Sequence, residues 1–186
     1  MGAGGSVESE VKLRVEGPEA ARARLLAGGA SLVRPRHFED NFLFDDAARS
    51  LRAAGSVLRV RRTHAGGREG EARLTFKGPR RVLGGIKSRE ELETAVGDPG
   101  VLETLLARLG YAPVFRYQKY REVWRLGAAE VVIDETPIGC FLEIEAEPAA
   151  IVDTAARLGF TPADFVSASY ASLFVAAGGR GDMLFP

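Results

Sequence analysis

The sequence has a single cysteine, Cys140, so no disulfide can form within the chain. A lone free thiol suits a reducing, cytoplasmic setting. Cys140 stands between Gly139 and Phe141 in an apolar run, and His37 and His64, the only histidines, are not patterned to partner it. A buried inert thiol is therefore expected rather than a nucleophile. No apolar run is long enough to span a membrane, and the N-terminus shows no signal peptide. There is no excess charge: 25 Lys plus Arg balance 25 Asp plus Glu. Sequence-independent nucleic-acid binding is thereby disfavoured, because it draws on a basic surplus. The Gly-x-x-x-x-Gly-Lys-Ser/Thr phosphate loop is also missing, so side chains would have to hold any phosphate.

What the chain does have is enough apolar residue, 46% of 186, to bury a sizeable core in one domain. The opening MGAGGS fits a loose myristoylation pattern, but residues 1–5 read as a flexible Gly-rich extension. The GRGD near the C-terminus reads as part of a flexible tail, residues 178–186, rather than an adhesion motif. Residues 6–177 form the expected domain.

Within it, eight strands are expected: about Ser6–Glu16, Leu32–Phe44, Val57–Arg62, Glu71–Lys77, Lys87–Val96, Val114–Leu126, Glu130–Asp134 and Cys140–Glu147. Helices are expected over about Glu19–Ala27, Pro99–Leu109, Pro148–Leu158 and Pro162–Ala177. Pro at helix starts and Gly28, Gly110 and Gly159 at helix stops mark the boundaries.

The charged faces of these strands are sorted by sign. Glu8, Glu10 and Lys12 share a face, because strand side chains alternate. So do Arg59 and Arg61, Thr75 and Lys77, Lys119 and Arg121, and Glu143 and Glu145. Solvated sheet faces would have no reason to repeat like charges two apart. A barrel turned apolar side out, with helices covering it and the charges lining the interior, accounts for them. Leu25 and Leu26, Leu102, Leu105, Leu106 and Leu109, and Ile151, Val152 and Leu158 supply apolar stripes for the covering helices. A tunnel of both signs needs a ligand that reconciles them. Carboxylates suit hard divalent cations; Arg and Lys suit phosphate oxygens. A polyphosphate with its cation needs both.

These blocks resemble the CYTH family, also called triphosphate tunnel metalloenzymes. Glu8-Ser9-Glu10-Val11-Lys12 resembles its ExExK signature. Leu58-Arg59-Val60-Arg61-Arg62, Leu74-Thr75-Phe76-Lys77-Gly78-Pro79, Lys87 to Glu93, Lys119-Tyr120-Arg121, Asp134 to Glu145 and Ser169-Tyr170 resemble later blocks, in the family's order. The Lys-Gly-Pro, Ser-Arg-Glu-Glu-Leu-Glu and Gly-x-Phe-x-Glu-Ile-Glu segments are most similar to the class IV adenylyl cyclase branch. The resemblance implies an α+β fold, an eight-stranded antiparallel barrel with helices outside. It implies Mg²⁺ or Mn²⁺ on Glu8, Glu10, Asp134, Glu143 and Glu145. It implies that Lys12, Arg59, Arg61, Lys77, Arg89, Lys119 and Arg121 grip a triphosphate, with Lys12, Arg59, Lys77 and Arg121 closest to the chemistry.

The implied activity is conversion of ATP to cyclic AMP and pyrophosphate. The alternatives are hydrolysis of inorganic or thiamine triphosphate, and, in another class, a non-catalytic polyphosphate-binding module. The expected partner is a nucleoside or inorganic triphosphate, with no nucleic acid and no membrane; a homodimer is compatible with the sequence. Glu91 and Glu93 either extend the acidic set or orient the arginines. His37 and His64 read as surface or structural. Trp124 and Tyr117 read as core or helix-covered sheet residues rather than stacking platforms for a ring.

Overall fold

The structure, a computed structural model, describes residues 6–66 and 68–186. The N-terminal extension expected over residues 1–5 lies outside the described residues. Among the described residues nine strands form: β1 (Ser6–Val15), β2 (Ser31–Asp45), β3 (Val57–Ala65), β4 (Arg68–Lys77), β5 (Arg81–Leu83), β6 (Ile86–Val96), β7 (Ala112–Leu126), β8 (Ala129–Thr136) and β9 (Gly139–Glu145). Eight of them close a barrel in the order β1-β9-β8-β7-β2-β3-β4-β6, and β6 returns to β1. Every pairing is antiparallel. The short β5, absent from the sequence reading, pairs only with the start of β6. Three residues without a buried side chain leave no periodic signal.

The seam runs through β1. Residues 6–10 pair with β6, and residues 10–15 pair with β9, so Glu10 lies opposite both Lys87 and Glu145. Around the barrel, hairpin turns set the register. In the β8–β9 turn Gly139 has φ +122, a conformation that L side chains rarely adopt. The long β2 carries Pro35 in its interior, and its register with β7 shifts between Arg34 and His37. A proline has no N–H for the ladder, and a bulge accommodates that.

The barrel is turned apolar side out, as expected. Val11, Leu13, Val131, Ile133, Leu142 and Ile144 point outward and pack under Ala21 and Leu25 of α1 (Pro18–Ala27) and Ile151 and Ala155 of α4 (Pro148–Arg157). Several are fully buried, each stabilising the fold by about 2 kcal/mol. On the other side Leu106 of α3 (Pro99–Arg108) packs on Phe44 and Val60. The apolar stripes are only partly covered: Leu26, Leu105 and Leu109 stay exposed. A four-residue helix, α2 (Ser50–Ala53), was not expected; the buried Asp45 carboxylate accepts from the backbone N–H groups of Asp46, Leu51 and Arg52 and holds that turn.

The last helix is corrected. Residues 162–177 do not form one helix. A 3₁₀ turn over Pro162–Asp164 is followed by extended chain, where Val166 bridges Lys12 of β1, and only then by α5 (Tyr170–Ala176). Ser169 caps α5 by accepting from the Ser172 N–H. The segment 178–186, expected to be flexible, is tied to the barrel: Met183 is fully buried, and Asp182 accepts the Arg116 N–H at 2.7 Å. No helix among the described residues is long and apolar enough to cross a membrane.

Candidate active site

Because the outer faces of the strands take the apolar residues, the alternate side chains are forced inward, where they line a cavity of about 340 Å³. Eight basic and seven acidic side chains meet there. All the residues expected to grip phosphate line it: Lys12, Arg59, Arg61, Lys77, Arg89, Lys119 and Arg121. Glu8, Glu10, Glu143 and Glu145 line it too. With the two signs nearly equal in number, the local arrangement decides what the cavity can do. The charges divide into two zones.

In the first zone every charge is met by its opposite. Lys12 Nζ lies 2.7 Å from Glu10 and 3.0 Å from Glu143. Arg121 donates to Asp134 at 2.6 and 2.7 Å and to Glu143 at 2.8 Å. Lys119 donates to Asp134 at 2.8 Å. Behind it Glu39 faces Arg61 at 3.0 Å and Lys119 at 3.5 Å. Burial alone would raise the Glu143 pKa, but Lys12 and Arg121 outweigh it and hold the carboxyl well below its ordinary range. Glu39 is held down in the same way, against burial, by Arg61 and Lys119. Burial would likewise lower the Lys12 pKa, but Glu143 and Glu10 raise it, so its ammonium stays charged.

The second zone is a crowd of carboxylates. Glu8 lies within hydrogen-bond reach of Glu91 and near Glu145; burial first, then these neighbours, push its pKa up to about 8. Glu145 faces Glu130 across the β8–β9 ladder. Burial, then Glu130, Glu10 and Glu91, raise its pKa to about 7. Lys77, paired with Glu91, and Lys87, paired with Glu10, are the cations nearest this zone. Like charges driven to share protons are an oxygen-rich donor set of the kind hard divalent cations take. Among the described residues no three His, Cys, Asp or Glu groups already converge as a cation cage. The donor chemistry therefore fits such an ion, while a closed cage is not preformed.

Asp134, expected among the metal ligands, does not reach the cavity. It is fully buried, and its two oxygens already accept from Lys119, Arg121 and the Tyr170 hydroxyl at 2.6–2.8 Å. Three of these bonds fall on Oδ2 and one on Oδ1, so the carboxylate is engaged by Lys119 and Arg121 behind the cavity wall. Arg89 lines the cavity and donates from Nε and Nη2 to the carbonyls of Lys77 and Gly78. Glu91 and Glu93 divide between the two roles considered for them. Glu91 pairs with Lys77 and crowds Glu8; Glu93 accepts from Thr75 at 2.8 Å and from Arg73 at 3.0 Å, and stands 3.6 Å from Arg59.

Tyr117 packs against the buried cluster of Phe141, Tyr170 and Met183 and also lines the cavity beside Arg59, which the sequence reading as a core residue did not include. Burial would raise its phenol pKa, but Arg59 and Lys119 lower it. Trp124, by contrast, sits in the outer core. His37 is buried, its Nδ1 2.9 Å from the Pro35 carbonyl and its Nε2 3.6 Å from Glu39.

Three lining or supporting residues were missed. Lys87 is two residues before Arg89 on one strand, and Glu130 is four before Asp134; both spacings put them on the inner face, so the alternation that found their neighbours would have found them. Glu39 follows the Pro35 bulge, and the alternation of β2 is broken there. Arg59 stands out for another reason. It is buried in the wall, donates to Thr75 at 3.0 Å, and its Nε has no hydrogen-bond partner among the described residues.

The comparisons agree with this geometry. Residues 6–158 match the CYTH domain family. A protein of Methanocaldococcus jannaschii, provisionally named an adenylate cyclase, is 26% identical over 140 residues, 75% of this chain and 76% of that one. The crystal structure of a similarly named protein from Vibrio parahaemolyticus has a TM-score of 0.79 at 20% identity, covering 92% of this chain and 99% of that one. A Hippeastrum protein, named as an adenylyl cyclase and described as having a dominant triphosphatase activity, has a TM-score of 0.66 at 21% identity, covering 93% and 97%.

Proposed function

This chain belongs to the CYTH domain family, and from that premise we propose that it is a divalent-metal-dependent enzyme acting on the phosphate chain of a triphosphate, with ATP as the first substrate to test. The observation that carries the reading is the division of one cavity into a wall of anchored cations and a crowd of carboxylates that face one another. A triphosphate alone would be repelled by the acids, and a cation alone would leave the buried Arg59 Nε unmet. A metal–triphosphate pair satisfies both.

Glu8, Glu10 and Glu145, with Glu143 at the border, would hold Mg²⁺ or Mn²⁺, which supplies charge neutralisation at the phosphate oxygens. The chain's own part is positioning. Lys12, Lys119 and Arg121 are pinned by buried carboxylates, so they need not reorganise when negative charge builds on the phosphate oxygens. Arg59 and Arg61, side by side on β3, present guanidinium donors to the same chain of oxygens. Lys77 reaches in from β4.

Two reactions share this requirement. In the first, the ribose 3′-oxygen of ATP attacks the α-phosphorus, its proton is lost, the bond to the bridging oxygen breaks and pyrophosphate leaves. In the second, water attacks the terminal phosphorus and loses a proton, the bond from that phosphorus to the bridging oxygen breaks, the diphosphate remainder leaves and orthophosphate is formed. Leu43, Val57, Tyr117 and Ala171 are uncharged lining residues of the kind that suits the nucleoside end of ATP, which supports cyclisation first. The fold shared with the Hippeastrum protein supports hydrolysis of a triphosphate as the second reading. A panel of ATP, tripolyphosphate and thiamine triphosphate with Mg²⁺ and Mn²⁺, scored for cyclic AMP and free phosphate, separates them. Cyclic AMP from ATP supports the first reading. Phosphate release without cyclic AMP replaces it with the second. Neither product, with no binding of any triphosphate, ends the enzyme reading.

A further inference from the structure

Strand β7 pairs with β8 only from Tyr120 to Leu126, so residues 116–118 have no strand beside them on that edge. The end of the chain takes the place. Tyr117 bridges Met183 in parallel; the Met183 N–H donates to the Arg116 carbonyl at 2.9 Å, and the Gln118 N–H donates to the Met183 carbonyl at 3.0 Å. Asp182 accepts the Arg116 N–H at 2.7 Å, and the Phe185 N–H donates to Gln118 Oε1 at 3.3 Å. The Phe185 ring meets Tyr120 at 5.2 Å. The return from α5 is built for this path. A Cβ on Gly179 would lie 2.3 Å from the Phe174 ring, so a side chain there would require that ring to shift.

The consequence lies at Met183. Its side chain is fully buried in a cluster with Phe141 and Tyr170. Tyr170 of α5 meets the charged wall: its ring stands 5.1 Å from Lys12 Nζ and 5.5 Å from Lys119 Nζ, and its hydroxyl donates to Asp134 at 2.8 Å. A seven-residue helix holds itself poorly in water. Docking supplies what propensity does not, and the docked surface includes Met183.

We propose that residues 182–185 are a strap and Met183 a positioning residue: the strap seats Tyr170 on Asp134, and through Asp134 it fixes Lys119 and Arg121 against the substrate. The substrate part rests on the metal–triphosphate reading; the seating of Tyr170 does not.

The experiment compares the full chain, a chain ending at Gly179 and full-length Met183→Ala. Hydrogen exchange is read over residues 170–177, and turnover of ATP and tripolyphosphate is read with Mn²⁺. Loss of the strap is expected to speed exchange in α5 and to lower kcat/KM about tenfold, with Met183→Ala between the two. A free peptide of residues 178–186, added to the shortened chain, is expected to restore both by re-forming the β7 edge pairing. Tyr170→Phe should cost little more once the strap is gone, because the two act through one contact. A shortened chain that keeps full turnover and slow α5 exchange overturns the proposal. If the shortened chain does not fold, Met183→Ala decides: unchanged exchange and turnover in that variant also overturn it. If the full chain turns over no triphosphate, the functional reading fails, and exchange with and without peptide still judges the seating of Tyr170.

Discussion

The two zones of the tunnel contain the same kinds of residue and behave as opposites. Around Asp134 and Glu143, each carboxylate meets a lysine or arginine within hydrogen-bond distance, and Glu143 is held far below its ordinary pKa. Around Glu8 and Glu145 the carboxylates meet one another, and their pKa values rise to about 8 and about 7. The ion pairs of the first zone are formed without a ligand, while the Nε of Arg59 beside it has no hydrogen-bond partner among the described residues. The second stores unfavourable like-charge energy that a bound cation would release. The contrast shows how one barrel can be both preorganised for an anion and dependent on a cation.

The largest expected effect comes from breaking the paired zone. Asp134→Asn leaves Lys119 and Arg121 short of a buried counter-charge and should cost about 3–5 kcal/mol of stability, read as denaturant midpoint or Tm. Near-wild-type stability would show that these cations need no anchor. Glu145→Gln should do the reverse. In chelator at pH 8 its stability should match or exceed wild type, because a crowding charge is gone. With metal its turnover should fall about 100-fold or more, and the metal-induced rise in Tm should shrink. A variant with full turnover would remove Glu145 from the site.

The zones should also titrate in opposite senses. Glu8 and Glu145 bind their protons more tightly in the fold than at the ordinary value of 4.5. Their stabilising contribution is therefore present below pH 4.5 and is lost as pH rises through about 7 to 8. In chelator, Tm should fall from neutral to mildly alkaline pH, and Mg²⁺ should flatten the fall. Glu143 and Glu39, whose pKa values are depressed, stabilise above the ordinary carboxylate range and lose that contribution only in acid. A Tm flat from pH 6 to 8 in chelator would mean that the crowding is relieved in solution. The smallest effect is expected for Glu93→Gln. Its pair with Arg59 is 3.6 Å long and partly exposed, so the cost should stay under about 1 kcal/mol, with a few-fold rise in KM.

Much of this is legible in the sequence. Alternation placed Arg59 and Arg61, Lys119 and Arg121, and Glu143 and Glu145 on inner faces, and a period of two leaves no other face for them. What alternation does not carry is who stands opposite whom. Asp134 reads like Glu143 along the chain, but β8 places it opposite Arg121 and under Tyr170, so its oxygens are engaged there. Tyr117 reads as a sheet aromatic, but closure of the barrel turns it inward. The tail reads as disordered from its glycines, because the β7 edge that receives it lies far off in sequence. Composition reports local freedom and not a distant docking place.

The account's central claim is that one cavity binds cation and triphosphate together, each zone completing the other. The most direct measurement is the Tm of the full chain with Mn²⁺, with tripolyphosphate, and with both, at fixed pH and ionic strength. The account predicts a rise with both that exceeds the sum of the separate rises, because each ligand raises the other's affinity and both bind only the folded chain. Separate rises that merely add, or a rise with tripolyphosphate that Mn²⁺ leaves unchanged, would contradict it.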